Sequence, residues 1–182
     1  MMDWVAIGTW ALVAVTLALV GVTWWLARGQ LGVAKEQLTV EIYLELRKEF
    51  DGPLITARKL LAQQLLENRP HYEINEPVLN FFEDVGMLIR RGYLDREMIW
   101  DTFSYYTTNW WSACKDYIAE ERSNKGDTTL FTDFGDLVEQ IYKDEMEERH
   151  KTRAELEPSP NELQRFLHEE ARLFDASRDP VA

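Results

Sequence analysis

A chain of 182 residues has room for one domain and an anchoring segment. With 20 Lys and Arg against 32 Asp and Glu, its formal net charge of −12 repels phosphate backbones and argues against a nucleic-acid partner. The single cysteine, Cys114, rules out an internal disulfide and fits a reducing compartment.

Residues 4–26 contain no ionisable side chain. As a helix they reach about 34 Å, enough to cross a hydrocarbon core of about 30 Å with some tilt. Trp4 and Trp10 stand toward one end and Trp24 and Trp25 at the other, where indoles favour the membrane interface. A cleaved signal peptide fits poorly, because only Asp3 precedes the stretch and the stretch is too long. Basic residues come only after it, at Arg28, Lys35, Arg47 and Lys48. The positive-inside rule then predicts an outside N-terminus and a cytoplasmic C-terminal side, in an inner or plasma membrane.

Residues 27–50 are expected to continue as a juxtamembrane helix, with Leu38, Ile42 and Leu46 on one face and Gly29 and Gly32 weakening it near the membrane. Asp51-Gly52-Pro53 breaks it. A helix from Pro53 to about Asn68 follows, with Leu54, Ala57, Leu61 and Leu65 on one side, ended by Arg69-Pro70. Asn75 is expected to cap the next helix, residues 76–91, with Gly92 as its left-handed stop. Asp95 caps a further, aromatic-rich helix over 96–122, and 123–129 is a loop. A charged helix over 133–155 has Leu137, Ile141 and Phe134 as its narrow apolar face. After Pro158, Ser159 and Glu162 form a capping box with Pro160 at the first helical position. Leu163, Phe166, Leu167, Leu173 and Phe174 line one side of that last helix, and 176–182 read as a frayed end. The predicted class is all-α: one transmembrane helix leading into a cytoplasmic bundle of roughly five to six helices, with divisions at 4–26, 27–50, 51–157 and 158–182.

The run Leu79-Asn80-Phe81-Phe82-Glu83-Asp84-Val85-Gly86-Met87-Leu88-Ile89-Arg90-Arg91-Gly92, continued by Tyr93-Leu94-Asp95 and by Asn109-Trp110-Trp111, resembles the bacterial domain-of-unknown-function family 4760. The likeness covers the anchor and roughly residues 30–111. It implies one N-terminal membrane helix joined to a small helical cytoplasmic domain, and it implies no activity, substrate or catalytic residue.

Chemistry-bearing patterns are few. Glu147 and His150 form one Glu-x-x-His pair, whereas a di-iron bundle needs two pairs and two further carboxylates, so the pair reads as solvated surface. Glu83 and Asp84 are adjacent and point about 100° apart, so they cannot face one another as an acid–base pair. Asp84 shares a face with Phe81 and Leu88, and a half-buried carboxylate there calls for an ion pair with Arg91 or Arg58. No phosphate loop, nucleophile elbow or triad spacing occurs, so no catalytic, cofactor or metal residue is expected. Trp100, Phe103, Tyr106, Trp110 and Tyr117 recur at helical spacing as a core stripe, with a ligand pocket as the rarer alternative. Tyr105 and Trp111 lie off that stripe and, with the tail residues Leu163, Phe166 and Leu167, are candidates for a partner surface.

Thr9, Thr16, Thr23, Gln30 and Gln37 recur every seven residues, followed three positions later by Leu12, Leu19, Leu26, Val33 and Val40. That register suits a left-handed coiled-coil seam between copies, and hence a homo-oligomer. Against it, Glu36 and Glu41 would oppose each other in a parallel dimer, and threonine can bond its own helix instead. The sequence therefore predicts a membrane-tethered, non-catalytic helical interaction module bound to lipid through residues 4–26 and to a protein partner. A sensor with a pocket among the aromatic helices is the alternative, and a membrane-bound enzyme the third reading.

Overall fold

The structure, a computed structural model, describes residues 4–67 and 72–173, without the side chains of 4–15, 17–18, 26–27, 29, 31–33 and 72–75. The elements are α1 (Trp4–Phe50), α2 (Leu54–Leu66), α3 (Tyr72–Arg90), α4 (Arg96–Lys125), α5 (Thr132–Arg149), α6 (Arg153–Leu156) and α7 (Pro160–Glu170). The fold is all-α, and every described element is a helix. The chain divides into two compact units, Met1–Glu41 and Ile42–Ala182.

In the first unit α1 is a single helix through Gly29 and Gly32, with no break at either. Leu19, Val20, Val22, Trp24 and Trp25 are exposed, from 55% at Val22 to 71% at Trp25. The guanidinium of Arg28 lies 3.9 Å from the centre of the Trp24 ring, a cation–π contact one turn along the helix. Among the described residues no helix is long and apolar enough to cross a membrane. Most side chains of the segment 4–18 lie outside them.

The second unit is built on aromatic packing. Phe50, the last residue of α1, is the hub: its ring sits 5.4 Å from Phe81, 5.2 Å from Phe103 and 4.7 Å from Tyr106. Phe82 stacks on Phe134 of α5 at 5.0 Å, and Trp110 meets Phe166 of α7 edge-on at 5.1 Å. Helices α1, α3, α4, α5 and α7 thus share one continuous core. The anticipated stripe on α4 is core at Phe103 and Trp110, which are fully buried, and half-buried at Trp100, Tyr106 and Tyr117. The expected face of α5 is also buried, at Phe134, Leu137 and Ile141. Cys114 is buried, and burial pushes its thiol up to about 12, so it carries little thiolate at neutral pH.

Local sequence signals set most helix ends. Gly92, at φ 72°, closes α3 with bonds from its own amide to Ile89 O and from the Tyr93 amide to Leu88 O. Asp95 accepts the Glu97 amide at 2.9 Å and opens α4. Ser159 and Glu162 form the expected box at α7. Three boundaries differ from the sequence reading. Helix α3 starts at Tyr72, so Asn75 is not its cap and Pro77 lies inside it. Helix α4 runs three residues further, to Lys125, before Gly126 at φ 61° stops it. The charged helix ends at Arg149, where His150 turns left-handed, and α6 follows as a separate turn. The expected ends at Arg69-Pro70 and 176–182 lie outside the described residues.

Helices α3 and α5 touch backbone to backbone at one point. A Cβ added to Gly86 would stand 2.2 Å from the carbonyl oxygen of Asp133, far inside van der Waals contact. Gly86→Ala should therefore push the helices apart and destabilise the domain by about 1–3 kcal/mol. Gly135→Ala, whose Cβ would meet only the edge of the Trp111 ring at 3.0 Å, should cost less. Urea unfolding of the full chain in mild detergent measures both; an unchanged midpoint for Gly86→Ala would contradict the contact.

Candidate functional site

Part of the run 79–92 holds α5. Leu79, Glu83, Gly86 and Arg90 follow one another at four-, three- and four-residue steps, so they share a stripe of α3. Leu79 is fully buried, Gly86 receives the α5 backbone, and Arg90 forks onto Asp133 at 2.6 and 2.9 Å. That fork holds the Asp133 carboxyl below its usual range. Glu83 accepts the Phe134 amide at 2.7 Å. Helix α5 has no side-chain cap of its own, and Phe131 before it sits at φ 55°. A carboxylate from another helix thus serves one of its orphan amides and faces the positive end of its dipole. Burial pushes the Glu83 carboxyl above its ordinary value, with the amides of Phe134 and Asp133 pulling it back.

Asp84 corrects the sequence reading. It is exposed, and neither Arg91 nor Arg58 pairs with it. Its neighbour Glu83 takes the inward position because the α5-facing stripe runs through 83 and not 84. Arg91 is exposed as well.

Arg58 is instead the centre of a second site. It is 3% exposed, in the middle of α2. Its Nε and one terminal nitrogen donate to the two carboxylate oxygens of Glu170 at 2.8 and 2.6 Å. Its other terminal nitrogen donates to the carbonyl of Phe50 at 3.0 Å, one of the acceptors left open at the end of α1. The guanidinium lies 3.8 Å from the Phe50 ring centre and 5.1 Å from that of Tyr106. Glu170 is 4% exposed. A bidentate fork, a carbonyl and two rings together meet the requirement that a buried charge be paired and hydrogen-bonded. The site joins α1, α2, α4 and α7. Nothing in the run of residues around Glu170 marked it in the sequence; the only signal was an arginine within the apolar face of α2.

The expected partner surface is mostly internal. Phe166 and Leu167 are buried, Leu163 is half-buried, and Trp111 packs against Phe134 at 5.1 Å. The apolar face of α7 finds its cover on its own domain. Only Tyr105 stays open, at 49%, with its ring centre 5.7 Å from that of Phe166. Of the seam residues, Thr9 lies outside the described side chains, Gln30 and Gln37 are exposed, and Thr23 donates to Leu19 O at 2.7 Å within its own helix. Glu147 and His150 are exposed, and among the described residues no three His, Cys, Asp or Glu side chains converge.

With these jobs assigned, the run 79–92 reads as a helix-docking signature. The model of the family described as Domain of unknown function (DUF4760) matches residues 9–141. The chain belongs to this family. The DUF4760 match is wider than the sequence resemblance, reaching through the docking stripe into α5, and it leaves α6 and α7 beyond its end. No curated protein and no solved structure matches the chain.

Glu83 gives a pH-dependent expectation. Glu83→Gln keeps an acceptor for the Phe134 amide and removes the buried charge. A carboxyl whose folded pKa is raised lowers stability above that pKa and ceases to once it is protonated in both states. The wild-type chain should therefore gain stability relative to Glu83→Gln as pH falls through the raised folded value toward 4.5. Glu83→Ala, which leaves the amide without an acceptor, should cost about 1–3 kcal/mol. Thermal midpoints from about pH 8 to about pH 4 test both; a constant gap between wild type and Glu83→Gln would contradict the burial of charge.

Proposed function

We propose that this DUF4760 chain is a membrane-tethered helical interaction module, acting as an adaptor or accessory subunit without catalysis of its own. The observation that carries the reading is the run 4–26, which has no ionisable residue and lies on a helix that continues without a break to Phe50. The exposed Leu19, Val20, Val22, Trp24 and Trp25 favour an apolar surround over water, and Arg28 over Trp24 suits an interface. The N-terminus then faces out and the domain the cytoplasm, by the distribution of Arg28, Lys35, Arg47 and Lys48. Support for a non-catalytic role comes from the conspicuous charged groups: Glu83, Arg90 and Arg58 each hold helices together.

A sensor is the second reading. It is favoured by a cleft of about 340 Å³ where Arg47, Asp51, Asp101, Thr102 and Tyr106 meet beside the end of α1, so a ligand there would touch the helix leading from the anchor. A membrane-bound enzyme has no comparable observation behind it. Self-association along Thr9, Thr16, Thr23, Gln30 and Gln37 belongs to the proposal, although the internal bond of Thr23 weakens that hydroxyl as a bridge between copies.

Orientation is tested by labelling intact cells with an impermeant thiol reagent. Met2→Cys should label and Asn124→Cys, exposed in the last turn of α4, should not; the reverse pattern would overturn the topology. Cys114 is buried and adds no background.

The seam is tested by cysteine cross-linking of the full chain in membranes. Positions 16 and 30 should link copies and positions 13 and 28 poorly, whereas equal linking at all four would remove the seam.

A further inference from the structure

Helix α7 is a short amphipathic helix packed in a groove of its own domain. Leu163, Phe166, Leu167 and Glu170 occupy one face at steps of three, one and three residues, the pattern of an amphipathic helix laid in a groove. The groove is formed by α2 and α4, with Trp110 and Tyr105 against Phe166 and Arg58 at its floor. The cap of α7 is local: the Ser159 amide and hydroxyl both donate to Glu162, at 2.9 and 2.7 Å, so the helix keeps its cap wherever it goes. Its tether is short and extended, Glu157-Pro158-Ser159, with φ −64° and ψ 131° at Glu157, while α6 before it is tied to α5 by the Arg153–Glu139 pair. The receiving residues Phe50, Arg58, Tyr105 and Trp110 all lie within the family match, and α7 lies outside it.

We propose that the α2/α4 groove also accepts α7 from a second copy of the chain, so that two copies exchange their C-terminal helices. The chemistry of the floor chooses the occupant. Arg58 without a carboxylate is a buried unpaired charge, so an occupant must bring one in register with an aromatic residue four positions earlier. A second copy offers that face, Phe166 and Glu170, together with Leu163 and Leu167. Each exchange removes a pair and restores the same pair, so the closed and exchanged forms differ by the hinge and by association alone. Two chains anchored in one membrane would meet at high effective concentration, and in that respect the exchange draws on the proposed tether. It does not depend on the seam of α1.

The test mixes two full-length chains in mild detergent, one carrying Gln63→Cys and the other Ala171→Cys, positions joined in the structure by the Gln63 side chain donating to the Ala171 carbonyl at 3.5 Å. A short bifunctional thiol reagent should yield a cross-linked heterodimer, at least tenfold more than the pair Lys115→Cys and Ala171→Cys. Adding Glu170→Gln to the second chain should reduce the yield, because its α7 no longer matches Arg58. No heterodimer, or equal yield from the control pair, would overturn the exchange. So would a chain that takes up a synthetic 158–173 peptide yet never cross-links to its copy, since the occupant would then be a different protein. Repeating the mixture in membranes, with the seam positions read separately, distinguishes failure of the exchange from failure of the tether.

Discussion

Arg58 is a guanidinium with almost no access to water, and the domain is arranged around meeting its charge. Two of its donors take the Glu170 carboxylate and a third takes the open carbonyl of Phe50. Its guanidinium carbon lies over the rings of Phe50 and Tyr106, 3.8 and 5.1 Å from their centres. Without Glu170 the charge would be buried and unpaired, a loss of about 3–5 kcal/mol, comparable to a large share of a small domain's stability. The pair therefore closes the domain: it sets where α7 lies, covers Trp110 with Phe166, and ties the end of α1 to α2.

A second junction, between α3 and α5, works by contact and by capping. Gly86 lets the backbones meet, Glu83 serves an amide that α5 cannot cap itself, and Arg90 fixes Asp133 beside it. Two neighbouring charges on α3 thus have opposite fates. Glu83 serves an amide that needs an acceptor, while Asp84 lies on the exposed side of the helix. At these two junctions the inward-facing charges complete a helix end or meet a forked partner.

The class of fold and most helix ends were legible in the sequence, since they depend on local signals. Gly92, Asp95, Ser159 with Glu162, and the stripe through Phe103 and Trp110 act within one or two turns of themselves. The partners of Arg58 and Glu83 were not legible. Arg58 and Glu170 are separated by most of the chain, and no periodicity links an arginine on one helix to a glutamate on another. The partner surface on α7 was misjudged for a related reason: amphipathicity shows that a face will be covered and not by what. Helix α3 begins at Tyr72, ahead of Asn75 and Pro77, two strong local start signals.

The most direct measurement is a double-mutant cycle on the buried pair by chemical unfolding of the full chain. Arg58→Met and Glu170→Leu should each cost about 3–5 kcal/mol, while the double variant, with apolar groups of similar volume facing each other, should lie within about 1 kcal/mol of wild type. Losses that simply add, or single variants that match wild type, would contradict the claim that this pair holds the domain closed.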